Sequence, residues 1–104
     1  MSNTHDVTPS DNAEHSRFEV EVDGHLAVAE YRLVPEGIEF THTVVPEQLE
    51  GRGIGSALAR AGLDSARAKG LEVVPTCEFF QGYIKRHPAY HDLVHSSYRK
   101  QLGP

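Results

Sequence analysis

The first half of the chain carries the hydrophobic pattern of β-strands. RFEVEV (17–22) alternates apolar and charged residues, as a half-buried strand does, and HLAVAEYRL (25–33) follows it across the turn sequence Asp23-Gly24. After a turn at 35–37, IEFTHTVV (38–45) is rich in β-branched residues. The pattern predicts an antiparallel meander of three strands.

The pattern changes after residue 45. A loop dense in glycine leads to an alanine-rich stretch, which predicts a helix from residue 54 or 55 to Lys69 with Gly70 as its C-terminal cap. LEVVPTC (71–77) is typical of a short buried strand. EFFQGYIKRH (78–87) predicts a second helix that Pro88 ends, and AYHDLV (89–94) predicts a further helical turn.

The predicted order β-β-β-loop-α-β-α indicates an α/β fold with a mixed sheet (α+β). The third strand, the first helix and the fourth strand form a crossover unit, so those two strands should be parallel neighbours. A chain of 104 residues has room for one domain, which we expect at 16–95. The polar residues 1–15 are expected to form a disordered tail, and 96–104 a C-terminal tail.

Composition limits the classes of partner. The net charge of −5 argues against a general binder of nucleic acids or of anionic membranes. No stretch of the sequence reaches the length of a membrane span, and the first residues lack the basic and apolar segments of a signal peptide. A single cysteine gives no basis for an intrachain disulfide. We therefore expect a cytoplasmic protein that is a monomer or a weak homodimer.

The loop EGRGIGS (50–56) allows two interpretations. At the start of a helix, unpaired backbone N–H groups and the helix dipole favour an anion, and glycines let a phosphate approach the main chain. A P-loop would need a lysine after its last glycine, and a dinucleotide fingerprint would need a glycine where Ser56 stands. Glycine spacing alone leaves a phosphate site and a tight packing turn equally open.

The surroundings of the loop carry a more specific signal. FTHTVVPEQLEGRGIGSAL (40–58) and VVPTCEFFQGYIKRHPAY (73–90) resemble the reduced GNAT-like acetyltransferases, single-domain proteins of about one hundred residues. In the GNAT superfamily the loop pattern is Arg/Gln-x-x-Gly-x-Gly/Ala, and its backbone amides bind the pyrophosphate of acetyl-CoA. Gly53 and Gly55 take the two glycine positions, and Glu50 stands at the first position. The resemblance covers 17–94 and implies a minimal GNAT-like fold with N-acetyltransferase activity.

The same resemblance implies catalytic roles for Cys77 and His42. Cys77 would accept the acetyl group as a nucleophile or donate a proton, and His42 would act as the general base. By strand alternation Phe40 and His42 share one face, as do Pro75 and Cys77, so we expect the two side chains to converge. Taken alone, Cys77 is typical of a small buried residue, and His42 of a histidine bonded to a backbone carbonyl.

A gap between strands is expected beside Cys77, because Pro75 has no N–H to donate to a ladder. In GNAT enzymes such a gap admits the thioester arm. Two routes stay open there: direct transfer, with Cys77 protonating the leaving CoA thiolate, and double displacement through an acetyl-cysteine. A backbone N–H near Val44 or Val45 would stabilise the developing oxyanion in either route.

Further side chains are candidates for contacting the co-substrate. Lys85 and Arg86 would meet the CoA phosphates or adenine, and Tyr83 would line the thioester channel; a solvated helix end and a core tyrosine are the alternatives. Histidines at 87, 91 and 95 have Pro88 among them and no acidic or cysteine ligand in a tight pattern, so no metal is expected. The candidate cofactor-binding residues are Val44, Val45, Glu50, Gly51, Arg52, Gly53, Ile54, Gly55, Ser56, Tyr83, Lys85 and Arg86.

The resemblance thus implies an enzyme that uses acetyl-CoA to acetylate an amine, either on a protein or on a small molecule. Glu50, at the loop position where the superfamily has Arg or Gln, motivates an alternative: a non-catalytic module that binds acyl-CoA or another protein. A third hypothesis is a small α/β module in which the loop only packs the helix against the sheet.

Overall fold

The structure, a computed structural model, describes residues 7–102. Its strands are β1 (Ser10–Asn12), β2 (Arg17–Val22), β3 (His25–Val34), β4 (Gly37–Val44) and β5 (Val73–Pro75), and its α-helices are α1 (Ile54–Lys69) and α2 (Glu78–Arg86). Short 3-10 segments lie at Ala13–His15, Glu47–Leu49, Pro88–Leu93 and Ser96–Leu102. The strands form one sheet in chain order, and the mixed α/β fold predicted from the sequence is confirmed.

The three-strand meander is antiparallel, as the alternation predicts, and β5 pairs with β4 in parallel. The connection from β4 through α1 to β5 is therefore the predicted crossover. β5 spans only three residues, shorter than the predicted 71–77, because Leu71 belongs to the cap of α1 and Pro75 cannot extend the ladder. Gly70 adopts φ 69° and its N–H donates to the Arg67 carbonyl, which confirms Gly70 as the C-terminal cap of α1.

Both helices pack on one face of the sheet, and one aromatic contact lies at the centre of the core. The rings of Phe40 on β4 and Phe80 on α2 stack at 4.2 Å with 10° between their planes, and both side chains are fully buried. A Cβ atom at Gly62 of α1 would lie 2.8 Å from the Phe40 ring. Glycine is needed at that position because it lets α1 come this close to the sheet.

The ends of the chain differ from the sequence prediction. Of the expected tail at 1–15, residues 1–6 lie outside the described part, whereas Ser10–Asn12 pairs with β2 as an edge strand. In the expected C-terminal tail at 96–104, Ser96–Leu102 is a 3-10 segment whose Tyr98 packs against the core. Just before it, His95 donates its N–H to the Val73 carbonyl, at the edge of β5.

No helix within residues 7–102 combines the length and apolarity needed to cross a bilayer.

Candidate functional site

A β-bulge in β4 decides which side chains face the helices. Tyr31 of β3 pairs with Phe40, but the next residue back, Glu30, pairs with His42, so Thr41 is one extra residue in β4. Directly paired residues share a face of the sheet. His42 therefore lies with exposed Glu30 on the face away from the helices, while Thr43 lies opposite buried Ala29 on the helix face.

Thr43, and not His42, meets the cysteine. The Thr43 hydroxyl lies 3.3 Å from the Cys77 Sγ, and the Cys77 N–H donates to the Phe40 carbonyl at 3.0 Å. Cys77 is buried at the start of α2, immediately beyond the end of β5. The predicted convergence of His42 with Cys77 is wrong, because strand alternation predicts facing only where no residue is inserted.

The two parallel strands separate beside this pair. β5 contacts β4 only at Ile38, Glu39 and Phe40, so the ladder stops at Pro75 as predicted. The outer edge of β4 from Thr41 to Val44 consequently has no strand partner within the described chain. Backbone N–H and C=O groups on that edge are left available to a bound molecule.

The glycine loop follows β4 and forms one wall of a cavity of about 260 Å³. α1 begins after Gly53, which has φ 76°, and its first helical bond runs from the Ala57 N–H to the Gly53 carbonyl. The N–H groups of the three residues between them lack helical partners. Neither a capping side chain nor an acidic residue in the first turn offsets the positive end of this helix. Lining this cavity are Val45, Leu49, Glu50, Gly51, Gly53, Ile54, Gly55, Ser56 and Phe79.

One residue predicted for the loop site lies elsewhere, because Arg52 turns away to pair with Asp23 of the β2–β3 hairpin at 2.9 Å. The Val44 side chain is exposed on the face that carries His42, but the backbone of Val44, for which it was predicted, lies on the stretch of β4 beyond the ladder with β5. Phe79 of α2 was missed by sequence reasoning. Its ring lies over the start of α1, where a Cβ atom at Gly55 would come within 2.7 Å of the ring edge.

A second, larger cavity of about 600 Å³ borders the first at Ser56. Burial raises the pKa of Tyr83, which therefore stays a neutral phenol at physiological pH. Of the predicted residues, Tyr83 and Arg86 line this cavity and Lys85 does not. Arg60 of α1 also lines it, although the sequence analysis did not predict this. The cavity is lined by Ser56, Arg60, Tyr83, Arg86, His87, Pro88, Ala89 and Tyr90.

A buried carboxylate supports the strand end that precedes Cys77. Glu39 lies directly opposite Arg32 on β3, forms an ion pair with it, and accepts a hydrogen bond from the Thr76 hydroxyl at 2.8 Å. The hydrogen bond from Arg32, followed by that from Thr76, lowers the pKa of Glu39 below the ordinary value of 4.5. Glu39 thus ties β3 and β4 to the segment from which the cysteine projects.

This contact makes part of the stability dependent on pH. Because the folded-state pKa of Glu39 is lowered, its contribution is complete above pH 4.5 and is lost as the pH falls through that lowered value. We expect Glu39→Gln to cost about 1 kcal/mol of unfolding free energy near pH 7, since Arg32 is largely exposed. Urea unfolding at about pH 7 and about pH 3 should show this difference shrinking at the lower pH. Glu30→Gln, at an exposed glutamate on β3, is the control and should leave the free energy of unfolding unchanged at both pH values.

Among the described residues, no group of three His, Cys, Asp or Glu side chains is arranged to hold a metal ion.

Comparisons with known proteins identify the family of this chain. A family model described as GCN5-related N-acetyltransferase matches residues 17–93. Protein NATD1 of Xenopus tropicalis is 34% identical over 90 residues, which cover 80% of this chain and 83% of that protein. Protein NATD1 of Homo sapiens is 38% identical over 82 residues, which cover 72% of this chain and 73% of that protein.

The fold has a solved counterpart. The solution structure of a GCN5-like candidate N-acetyltransferase from Staphylococcus aureus superposes with a TM-score of 0.65 at 28% identity, and the match covers 91% of each chain. The match to the family model spans the β4 strand, the glycine loop, α1 and the cysteine after β5. Sequence and structure therefore agree, and this chain belongs to the GCN5-related N-acetyltransferase family.

Proposed function

We propose that this protein binds acetyl-CoA through the glycine loop and transfers the acetyl group to an amine. One observation carries the proposal: the start of α1, with no capping side chain and no acidic first turn, opens into a cavity beside the strand that has lost its parallel partner. A helix start of this kind is a site for phosphate groups. The adjoining unpaired strand edge offers hydrogen bonds to an amide-containing arm.

The residues of the loop fit a pyrophosphate. The N–H groups of Ile54, Gly55 and Ser56 precede the first helical bond, and positive φ angles at Gly51 and Gly53 shape the approach to them. A side chain at Gly55 would collide with Phe79 and fill this space. The acetyl thioester supplies the group to be transferred, while the loop supplies binding and orientation.

Cys77 and Thr43 are the proposed reactive pair. Their contact at 3.3 Å lets the Thr43 hydroxyl orient the thiol and exchange a hydrogen bond with it as the proton moves. In direct transfer, the thiol proton goes to the CoA sulfur that leaves. In double displacement, Sγ forms a bond to the acetyl carbon before the amine displaces it.

His42 stays a candidate base under a different geometry from the one that the sequence predicted. It is exposed on the face away from the helices, where an acceptor amine would approach the strand gap from the side opposite the glycine loop. That position suits removal of a proton from the amine rather than from Cys77. The acceptor, the cytoplasmic location and the monomer or weak-dimer state stay predictions.

Thermal unfolding with acetyl-CoA tests the binding step. At a concentration about 100 times Kd, a ligand that binds only the folded state adds about 2.7 kcal/mol. For a domain of this size, we expect Tm to rise by roughly 10 °C or more. Gly53→Ala should reduce the affinity about tenfold, because a methyl group would stand where the phosphate meets the backbone.

Gly24→Ala is a matched control. Gly24 and Gly53 have similar positive φ angles, 80° and 76°, and at both positions a Cβ atom would meet nothing within 4 Å. Both variants should therefore lose a similar amount of stability from backbone strain, about 1–2 kcal/mol. Of these two glycines, only Gly53 lines the loop cavity. If acetyl-CoA does not stabilise the wild type, or if both variants respond to it equally, the loop site is wrong.

A second candidate is a module that binds acyl-CoA without turning it over. Glu50 favours it, because this residue brings a negative charge to the cavity wall at the loop position that is Arg or Gln in the superfamily. Binding that persists without acetylation of any amine in a broad panel would support this module. Transfer to any amine, lost in Cys77→Ala, would exclude it.

A further inference from the structure

One side chain of α2 reaches back to the turn that carries Cys77. The Gln81 side-chain amide donates a hydrogen bond from Nε2 to the Pro75 carbonyl at 2.8 Å. The backbone N–H of the same residue donates to the Cys77 carbonyl at 3.0 Å, which is the first helical bond of α2. Gln81 is half-buried and therefore bonds to the chain on both sides of Thr76.

The Pro75 carbonyl needs this donor. The Val73 carbonyl lies on the edge of β5 away from β4, where it accepts the His95 N–H at 2.9 Å. Carbonyls two residues apart on a strand point to the same edge, so the Pro75 carbonyl also points away from β4. Pro75 is fully buried, and a buried carbonyl without a partner is costly. Gln81 supplies that partner and ties the end of β5 to α2.

The inner side of the same turn is bonded to β4. The Thr76 N–H turns back to the Val74 carbonyl at 3.2 Å, so Thr76 leaves the ladder. Its hydroxyl donates to Glu39 at 2.8 Å and lies 3.2 Å from the Phe40 carbonyl, which also accepts the Cys77 N–H at 3.0 Å. The turn is thus held by β4 on one side and by α2 on the other.

The thiol depends on this backbone for its direction. Cys77 Sγ lies 3.3 Å from the Thr43 hydroxyl, and sulfur is a weak donor and a weak acceptor. The thiol does not cap α2, although Cys77 is the N-cap residue of that helix. A weak contact alone does not fix a side chain, so the backbone on either side of Cys77 must direct it.

We infer that Gln81 is a positioning residue for Cys77: by holding the Pro75 carbonyl, it directs the thiol to Thr43 and the gap between β4 and β5. The inference rests on the proposed function, which makes Cys77 a reactive group. Gln81 lines neither the glycine-loop cavity nor the second cavity. Loss of its hydrogen bond should therefore slow acetyl transfer without weakening acetyl-CoA binding.

Gln81→Met tests this, because it removes the donor and keeps an unbranched side chain of similar length. We expect kcat for acetyl transfer to fall about tenfold, while Kd for acetyl-CoA stays within about twofold. Alkylation of Cys77 by iodoacetamide, measured without acetyl-CoA, should become about fivefold faster, the effect of one hydrogen bond on a local opening equilibrium. Gln81→Asn, whose amide is one methylene too short, should show the same changes.

Two control variants separate positioning from other effects. Gln48→Met makes the same substitution at an exposed glutamine. Gly24→Ala loses stability through backbone strain at φ 80° in the β2–β3 hairpin. Both should leave kcat and the alkylation rate within about twofold of the wild type. All rates are measured well below the Tm of each variant, so that every chain compared is folded.

The outcomes separate this inference from the proposed function. Wild-type kcat and alkylation rates in both Gln81 variants would overturn the inference. Equal changes in Gly24→Ala would also overturn it, because lost stability would then explain them, and so would faster alkylation with an unchanged kcat. A wild type that transfers acetyl to no amine would overturn the proposed function, and the alkylation rates would then decide by themselves whether Gln81 positions the thiol.

Discussion

Phe40→Ala is expected to remove about 3–5 kcal/mol of the free energy of unfolding. The Phe40 ring is fully buried, stacks on Phe80, and meets Tyr31 edge-on at 6.3 Å. Gly62 of α1 packs directly against it, so its removal leaves a void between the sheet and both helices. A small domain has only about 5–15 kcal/mol in total, so the variant should be close to unfolding.

Urea unfolding followed by circular dichroism measures this loss, and Phe79→Ala is the control. Phe79 is the same residue type on α2, but 37% of it is exposed, so its truncation should cost less than about 1.5 kcal/mol. For acetyl-CoA affinity we expect the opposite order: Phe79→Ala should weaken binding more than Phe40→Ala does, since Phe79 lines the loop cavity. Equal losses of stability in the two variants would contradict a core centred on the Phe40–Phe80 stack.

The elements that the sequence predicts well are those whose signals are local. α1 begins at Ile54 and ends at Lys69, where an alanine-rich run meets glycines at both ends. The parallel pairing of β4 with β5 follows from the order of elements, because a strand, helix and strand in sequence form a crossover. Residue types determine the bounds of α1, and the order of the elements determines the pairing of β4 with β5. Neither prediction needs knowledge of tertiary contacts.

The errors in the prediction come from distant pairing. Strand β1 has polar side chains, and its backbone pairing with β2 leaves no apolar alternation to detect. The bulge at Thr41 likewise has no signature in the alternation of β4, yet it exchanges the faces of His42 and Thr43. Arg60 had one usable signal: it follows Ser56 of the glycine loop by four residues on a helix, and thus shares its face.

We expect Cys77→Ala to lower acetyl transfer by about 100-fold or more, the usual cost of losing a group that moves a proton or forms a bond in the reaction. Stability should change much less, because a thiol is small. Thr43→Val keeps the thiol and removes its 3.3 Å partner, and should cost about tenfold in kcat. Activity within about twofold of the wild type in Cys77→Ala would show that the cysteine is only a packing residue.

Intact mass measured after incubation with acetyl-CoA alone distinguishes the two routes. Cys77 is the only cysteine, so a hydroxylamine-labile acetyl adduct on the described fold has one possible site. In double displacement, Sγ bonds to the acetyl carbon, the CoA sulfur leaves with the thiol proton, and an amine then takes the acetyl group while its proton returns to Sγ. The wild type should then carry the adduct, Cys77→Ala should not, and adding amine should discharge it. An unmodified wild type combined with the 100-fold loss would assign Cys77 as the proton donor of direct transfer. The burial of Sγ against Thr43 favours this second result, because an acetyl group on that sulfur needs the side chain to turn towards the gap between β4 and β5.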